Sequence, residues 1–218
     1  MTQGTAIARV ITSMAQLQER FAIVPATDDN FFPEWRDRLP ELTAAEQSFL
    51  DKIKYRFDRH RASGEMAEST VNMLVVAHLL ELAGFYDEPF LITNEYAVEM
   101  ELQDRDEVLR GRIDTLVFLQ QFWSLVVESK RSISFEAGIP QLLAYMMASP
   151  PSGEPLYGMV TDGSLYMFVK LVNQNPAIYD FSDVFSLLLL RENKLYRVLQ
   201  VLKQFANTMK MRDSLKKN

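Results

Sequence analysis

The apolar positions of this chain first recur at helical spacing and then at strand spacing. Val71, Val75 and Leu79 form one stripe with Glu68 at its head, the pattern of an amphipathic helix over 71–83 that Gly84 stops. Ahead of it, Thr43-Ala44-Ala45-Glu46 reads as a capping box and predicts a helix from about Ala44 to Arg61. The period then falls to two. Tyr96, Val98 and Met100 share a face in a strand over 89–101, with its turn at 104–107. A second strand follows at 113–118, with Asp114, Leu116 and Phe118 on one face and Ile113, Thr115 and Val117 on the other. In a third, 125–130, Val126, Glu128 and Lys130 share a face opposite Leu125, Val127 and Ser129. A helix near 140–148 follows, with Pro140 in its first turn. Segments 157–161 and 164–171 flank Asp162-Gly163, a type I′ hairpin signal. The N-terminal 40 residues predict a short helix over 6–21 and a turn-rich loop around 25–33, and the tail predicts a helix over 183–210, interrupted near Asn193.

The order of helix, strands, helix and strand pair predicts an α/β or α+β fold. Its chemistry gathers at the second and third strands. If 119–122 connects them as an antiparallel pair, partners sum to about 241 or 242 in residue number, which sets Asp114 opposite Val127 or Glu128. Directly opposed side chains have Cβ atoms roughly 4.5–5.5 Å apart, so these carboxylates repel unless a proton or metal lies between them. A hard, oxygen-seeking ion such as Mg²⁺ resolves that conflict using one or two carboxylates, waters and phosphate oxygens. Lys130, in phase with Glu128, is placed to neutralise charge developing on a phosphorane or to activate a water. Glu-x-Lys alone is commonly a solvated strand edge; here the apolar run 123–127 makes it the end of a buried strand.

Asp114 followed by Glu128-Ser129-Lys130 resembles the PD-(D/E)XK nuclease superfamily, and Gln141-Leu142-Leu143-Ala144-Tyr145 is similar to the Q-x-x-x-Y element of its RecB-type and restriction-enzyme R-subunit-like branch. Ile113 stands where the family name has proline. The resemblance covers about Ser63 to Lys170. It implies a restriction-endonuclease-like core over 63–172, a mixed central sheet flanked by helices, with an N-terminal helical extension over 1–62 and a C-terminal helical segment over 173–218 in one compact domain. It further implies Mg²⁺ or Mn²⁺ held by Asp114 and Glu128, with the Ser129 carbonyl and Glu68 as further ligands. Lys130 would position or deprotonate the water, and Gln141 and Tyr145, one turn apart on a helix, would brace Lys130 or touch the nucleic-acid backbone. The reaction implied is hydrolysis of DNA phosphodiesters; the partners implied are DNA, a second copy of the chain, or a helicase or specificity subunit.

Composition narrows the alternatives. The 218 residues contain no cysteine and only His60 and His78, which excludes disulfides, thiolate zinc sites and histidine-rich metal centres. No apolar run reaches the roughly 20 residues of a membrane span, and residues 1–18 lack a signal-peptide core, so the expected address is cytoplasmic, away from any membrane. A formal charge of −6 gives no global attraction to nucleic acid. Lys52, Arg56 and Arg59 lie on one helical face, with Lys54 and Arg61 nearby; such a stripe either touches phosphates or, more commonly, is a solvated helix face with Lys54 and Asp58 as an i,i+4 pair. The acidic balance favours a rival, a catalytically inactive nuclease-fold interaction module within a larger complex. A hydrolase of small nucleotides would require a phosphate-cradling glycine loop, and Gly111 precedes a strand instead.

Overall fold

The computed structural model describes residues 5–102, 107–120, 122–129, 135–150, 153–189 and 191–216. The chain begins with β1 (Thr5–Ala6), α1 (Ile7–Val10), α2 (Met14–Arg20) and β2 (Ile23–Pro25). A 3₁₀ turn at Pro33–Trp35 leads to α3 (Ala44–Ala62). The next helical stretch comprises α4 (Glu68–Val71), a π turn at Asn72–Val76 and α5 (Ala77–Leu82). Then come β3 (Phe90–Leu102), β4 (Glu107–Leu119), β5 (Phe122–Ser129), α6 (Phe135–Met147), β6 (Pro155–Thr161), β7 (Leu165–Val172), β8 (Ala177–Phe181), β9 (Phe185–Ser186) and α7 (Leu195–Lys216).

All strands join one mixed sheet in the order β1-β4-β5-β6-β7-β8-β2, with β3 also on β4 and β9 also on β7. The pairs β1·β4, β5·β6 and β2·β8 are parallel, and the others antiparallel. A strand has two edges, and β3 occupies one edge of β4 along its length. The other edge is therefore shared: β5 takes Thr115–Leu119 and β1 takes Leu109 and Arg110. The sheet forks between them, beside Asp114.

Helices cover both faces, giving an α+β molecule with a mixed central sheet between helical layers. Leu125, Val127, Tyr157 and Phe168 turn toward Phe57, Val75, Leu79, Leu199 and Phe205 of α3, the π turn, α5 and α7. Val126, Leu116, Val160 and Val169 turn the other way, toward Ile7, Leu17, Leu142 and Leu143 of α1, α2 and α6. The period-two alternation predicted for β5 is thus the alternation between two cores. Among the described residues no helix is long and apolar enough to cross a membrane.

Several elements differ from the sequence expectation. The N-terminal helix over 6–21 is two short helices, and the segment expected to be a helical extension also supplies β1 and β2 to the sheet. Neither strand carries a pattern of its own, because two or three residues are too few to show a period. In the tail, Ala177–Phe181 and Phe185–Ser186 are strands, and the helix is confined to Leu195–Lys216. Basic residues near the C-terminus are engaged: Lys210 lies 5.4 Å from the Phe90 ring and Lys216 pairs with Glu154 at 2.8 Å. The hairpin at Asp162-Gly163 forms, but in this turn only Gly163 has positive φ (83°), so it is not the type I′ turn, which requires two such residues. The Asp162 carboxylate accepts from the Ser164 and Leu165 amides at 2.8 Å and sets the turn locally. His78 is partly exposed and meets Phe49 edge-on at 5.4 Å.

The capping box forms as read. Thr43 Oγ1 accepts from the Glu46 amide at 3.2 Å and Glu46 Oε2 accepts from the Thr43 amide at 2.7 Å. Lys54 and Asp58 also pair as expected, at 2.6 Å. Glu46 further binds Lys203, at 2.5 Å, and so ties α3 to α7. Burial works to raise the Glu46 carboxyl, but hydrogen bonds from Lys203 and Thr43 outweigh it and hold the group below its ordinary value of 4.5. A lowered folded value favours the native state above that ordinary value, and the contribution is lost as pH falls through the folded one. Glu46→Gln, which keeps the cap, is expected to flatten the loss of Tm between neutral pH and the acid side of 4.5. An acid limb unchanged in the variant would refute this role.

Candidate functional site

Asp114 sits at the fork, where β5 separates from β4. The register Thr115↔Val127 is the last step of the β4·β5 ladder among the described residues, and the sum of 242 there becomes 241 at Phe118↔Trp123, the alternatives given by the hairpin arithmetic. Beyond it, Asp114 Oδ2 accepts from the backbone amide of Ser129 at 2.6 Å, so a side chain takes the place of a ladder carbonyl. Ser129 Oγ in turn donates to Asn72 Oδ1 on the π turn. On the other strand, Thr115 Oγ1 donates to Asn94 Oδ1 at 2.9 Å, and the next residue, Glu95, has a left-handed backbone with φ of 56°. The predicted alternation of β4 slips here: Ile113 packs in the same core as Leu116, although an odd and an even position belong on opposite faces. A positive φ facing Asp114 across the β3·β4 ladder accompanies that slip.

Asp114 and Glu95 open onto a cavity of about 330 Å³. Its apolar wall is built by Val76, Ala77, Leu80 and Ile92; Asn72, Asn94 and Thr115 supply polar groups; Met73 and Tyr86 stand at its rim. The π turn adds one residue to the helical repeat and directs Asn72 and Met73 to this side; such turns are frequent at functional sites. Burial, then the charge of Glu81, pushes the Tyr86 hydroxyl up, so it remains a protonated donor at neutral pH.

The remaining predicted residues are distributed around this point. Glu128 is 1% exposed, next to Ser129 on β5, and the residues lining the Asp114 cavity do not include it. Lys130 lies outside the described residues. Glu68 opens α4 one turn ahead of Asn72, half-buried, on the stripe of Val71 and Val75 as expected. Gln141 and Tyr145 are both buried, and Gln141 Nε2 donates to the Tyr145 hydroxyl at 2.8 Å. The Tyr145 ring lies against Gly111 on β4, where a Cβ would come within 2.5 Å of it. That contact explains Gly111 and fixes α6 to the strand carrying Asp114.

Pro140 is not in the first turn of its helix. α6 begins at Phe135, so the proline removes an interior bond to the Glu136 carbonyl, and Gln141 is not at the positive dipole end. Gln141 therefore has no free first-turn amides beside it to hold an anion. Gln141→Ala is expected to cost about 1 kcal/mol, the size of one lost hydrogen bond, whereas Leu143→Ala, at a fully buried core position, should cost roughly 2–5 kcal/mol. Urea unfolding of the two variants measures both, and equal losses would make Gln141 a core packing residue.

Asn72, Asn94, Glu95 and Gly111 are the site residues that sequence reasoning missed. Only Asn72 carried a signal, its position four residues after Glu68 on the same helix face.

The donors around the fork are carboxylates, a serine carbonyl and amides, a set suited to Mg²⁺ or Mn²⁺ and unsuited to a soft metal. Among the described residues no three His, Asp or Glu side chains cluster at metal-ligand spacing, and a hard cation uses as few as one or two carboxylates with waters. Neither the protein-family models nor the curated proteins compared with this chain give a match.

Proposed function

We propose that the chain is a metal-dependent nuclease built on a restriction-endonuclease-like core, hydrolysing DNA phosphodiesters at the fork of β4 and β5. One observation carries the reading: the Ser129 amide donates to Asp114 Oδ2, which joins the first acidic residue to the end of β5, at the middle residue of the Glu128-Ser129-Lys130 motif. Support comes also from position, since the site lies at the carboxyl end of β5, one of a parallel pair joined through α6, where open α/β sheets commonly bind ligands.

Asp114 and Glu128 would hold Mg²⁺ or Mn²⁺, with the Ser129 carbonyl and Glu68 as further or water-mediated ligands. The ion supplies charge neutralisation at the phosphate and an acidified water. Asp114 is oriented for this by the Ser129 amide, and Ser129 by Asn72. Lys130 stabilises the developing phosphorane charge or takes the proton of the attacking water. Gln141 and Tyr145 position α6 against β4.

The test is conversion of supercoiled plasmid and of single-stranded DNA with Mg²⁺, Mn²⁺ or chelator. Cleavage only with the metals supports the reading, and intact substrates in all conditions refute it. A second reading has one observation in its favour: Asp114 already serves as a strand-end cap through its bond to Ser129, a structural role that an inactive interaction module of a larger complex would also use.

A further inference from the structure

We infer that the cavity beside Asp114 receives a single unstacked base, so that the substrate of the proposed hydrolysis is single-stranded nucleic acid; this rests on the nuclease reading above. Charge is the first argument. Among the described residues no Lys or Arg lines the cavity and its Glu95 is already paired with Arg112, so the interior offers a phosphate no cation of its own, while a neutral base needs none. Hydrogen bonding is the second. Asn72 Oδ1 accepts from Ser129 Oγ and Asn94 Oδ1 accepts from Thr115 Oγ1, so in these two cavity-lining residues the oxygen is engaged and the amide NH₂ is the donor each can offer a ligand. Such donors match the ring nitrogens and carbonyls of a base edge.

Shape is the third. A space of about 330 Å³ with one apolar wall has room for a base that has left its stack, and a paired duplex keeps its bases away from such a recess. At the rim Tyr86 is 48% exposed and Met73 65% exposed, an aromatic and a thioether standing in water beside the opening. Stacking on aromatic side chains is the usual means by which single strands are held without sequence preference.

The experiment measures fluorescence anisotropy of a labelled thymidine dodecamer and of a labelled dodecamer duplex with Ca²⁺, and cleavage of both with Mg²⁺. The wild type is expected to bind the single strand roughly tenfold tighter than the duplex, and Tyr86→Ala to lose roughly tenfold on the single strand alone. Met73→Ala, at a more exposed position, should weaken it in the same sense. Equal affinity for both forms, unchanged in both variants, overturns the base pocket even if both DNAs are cut. Tyr86-dependent binding of the single strand without cleavage supports the pocket and refutes hydrolysis instead.

Discussion

Asp114→Asn abolishes metal-dependent cleavage and removes the rise in Tm that Mg²⁺ or Mn²⁺ gives the wild type; that is the expected result of the most severe single change. The asparagine Oδ1 still accepts from the Ser129 amide, now 2.6 Å from the aspartate oxygen, so the fork stays closed. Only the charge is lost. A neutral amide oxygen in place of the carboxylate removes a full charge from the ion's ligand set, so the expected fall in rate is several orders of magnitude. A ligand present at 100 times its Kd stabilises the native state by about 2.7 kcal/mol, a gain visible by calorimetry in the wild type and absent in the variant. Wild-type rates in Asp114→Asn would remove Asp114 from the mechanism.

The second large effect lies away from the fork. Lys170 on β7 donates to Glu34 Oε1 and to the Phe31 carbonyl, both at 2.7 Å, and the Tyr157 hydroxyl donates to the same Glu34 oxygen at 2.8 Å. Arg212 of α7 approaches that oxygen to 3.7 Å. Glu34 is 9% exposed and Lys170 8%. Burial, and after it the Glu34 charge, raises the Tyr157 hydroxyl, which stays a donor throughout the working range. Removing one member of such a pair leaves a charge with no water to return to, so Lys170→Met is expected to cost roughly 3–5 kcal/mol in urea unfolding. Adding Glu34→Gln should restore much of it, since the uncompensated charge then disappears. A cost below about 1 kcal/mol for the single change would show that Arg212 and Tyr157 suffice for Glu34.

What the sequence made legible was what its periods encode. The alternation of Leu125, Val126 and Val127 gave the two faces of β5, which the structure turns toward two cores; the hairpin arithmetic set Asp114 opposite Val127 or Glu128, whereas Val127 pairs with Thr115 and the Asp114 carboxylate meets the Ser129 amide. The stripe of Val71, Val75 and Leu79 foretold a buried helix face, but not the π turn within it, because one inserted residue leaves the stripe intact. The Glu34–Lys170 pair was invisible: its members stand 136 residues apart, in a turn-rich loop and a buried strand. Such contacts are made by the topology, and a local window does not contain them. The cavity was illegible for the same reason, since Asn72 and Asn94 are ordinary polar residues until the fork brings them together.

The left-handed backbone at Glu95 also governs how the molecule meets its neighbours in solution. β3 pairs with β4 along one side, and among the described residues no strand covers its other side. An edge of 13 residues is long enough to template pairing with another chain. At Glu95 the extended run is broken by φ of 56°, and exposed carboxylates at Glu95 and Glu99 lie along it, engaged by Arg112 and Arg110 of β4. The opposite edge ends in the three residues of β2, closed by Pro25, which has no amide to donate. One edge is kinked and charged and the other is short, so neither offers the flat ladder on which sheets grow into aggregates.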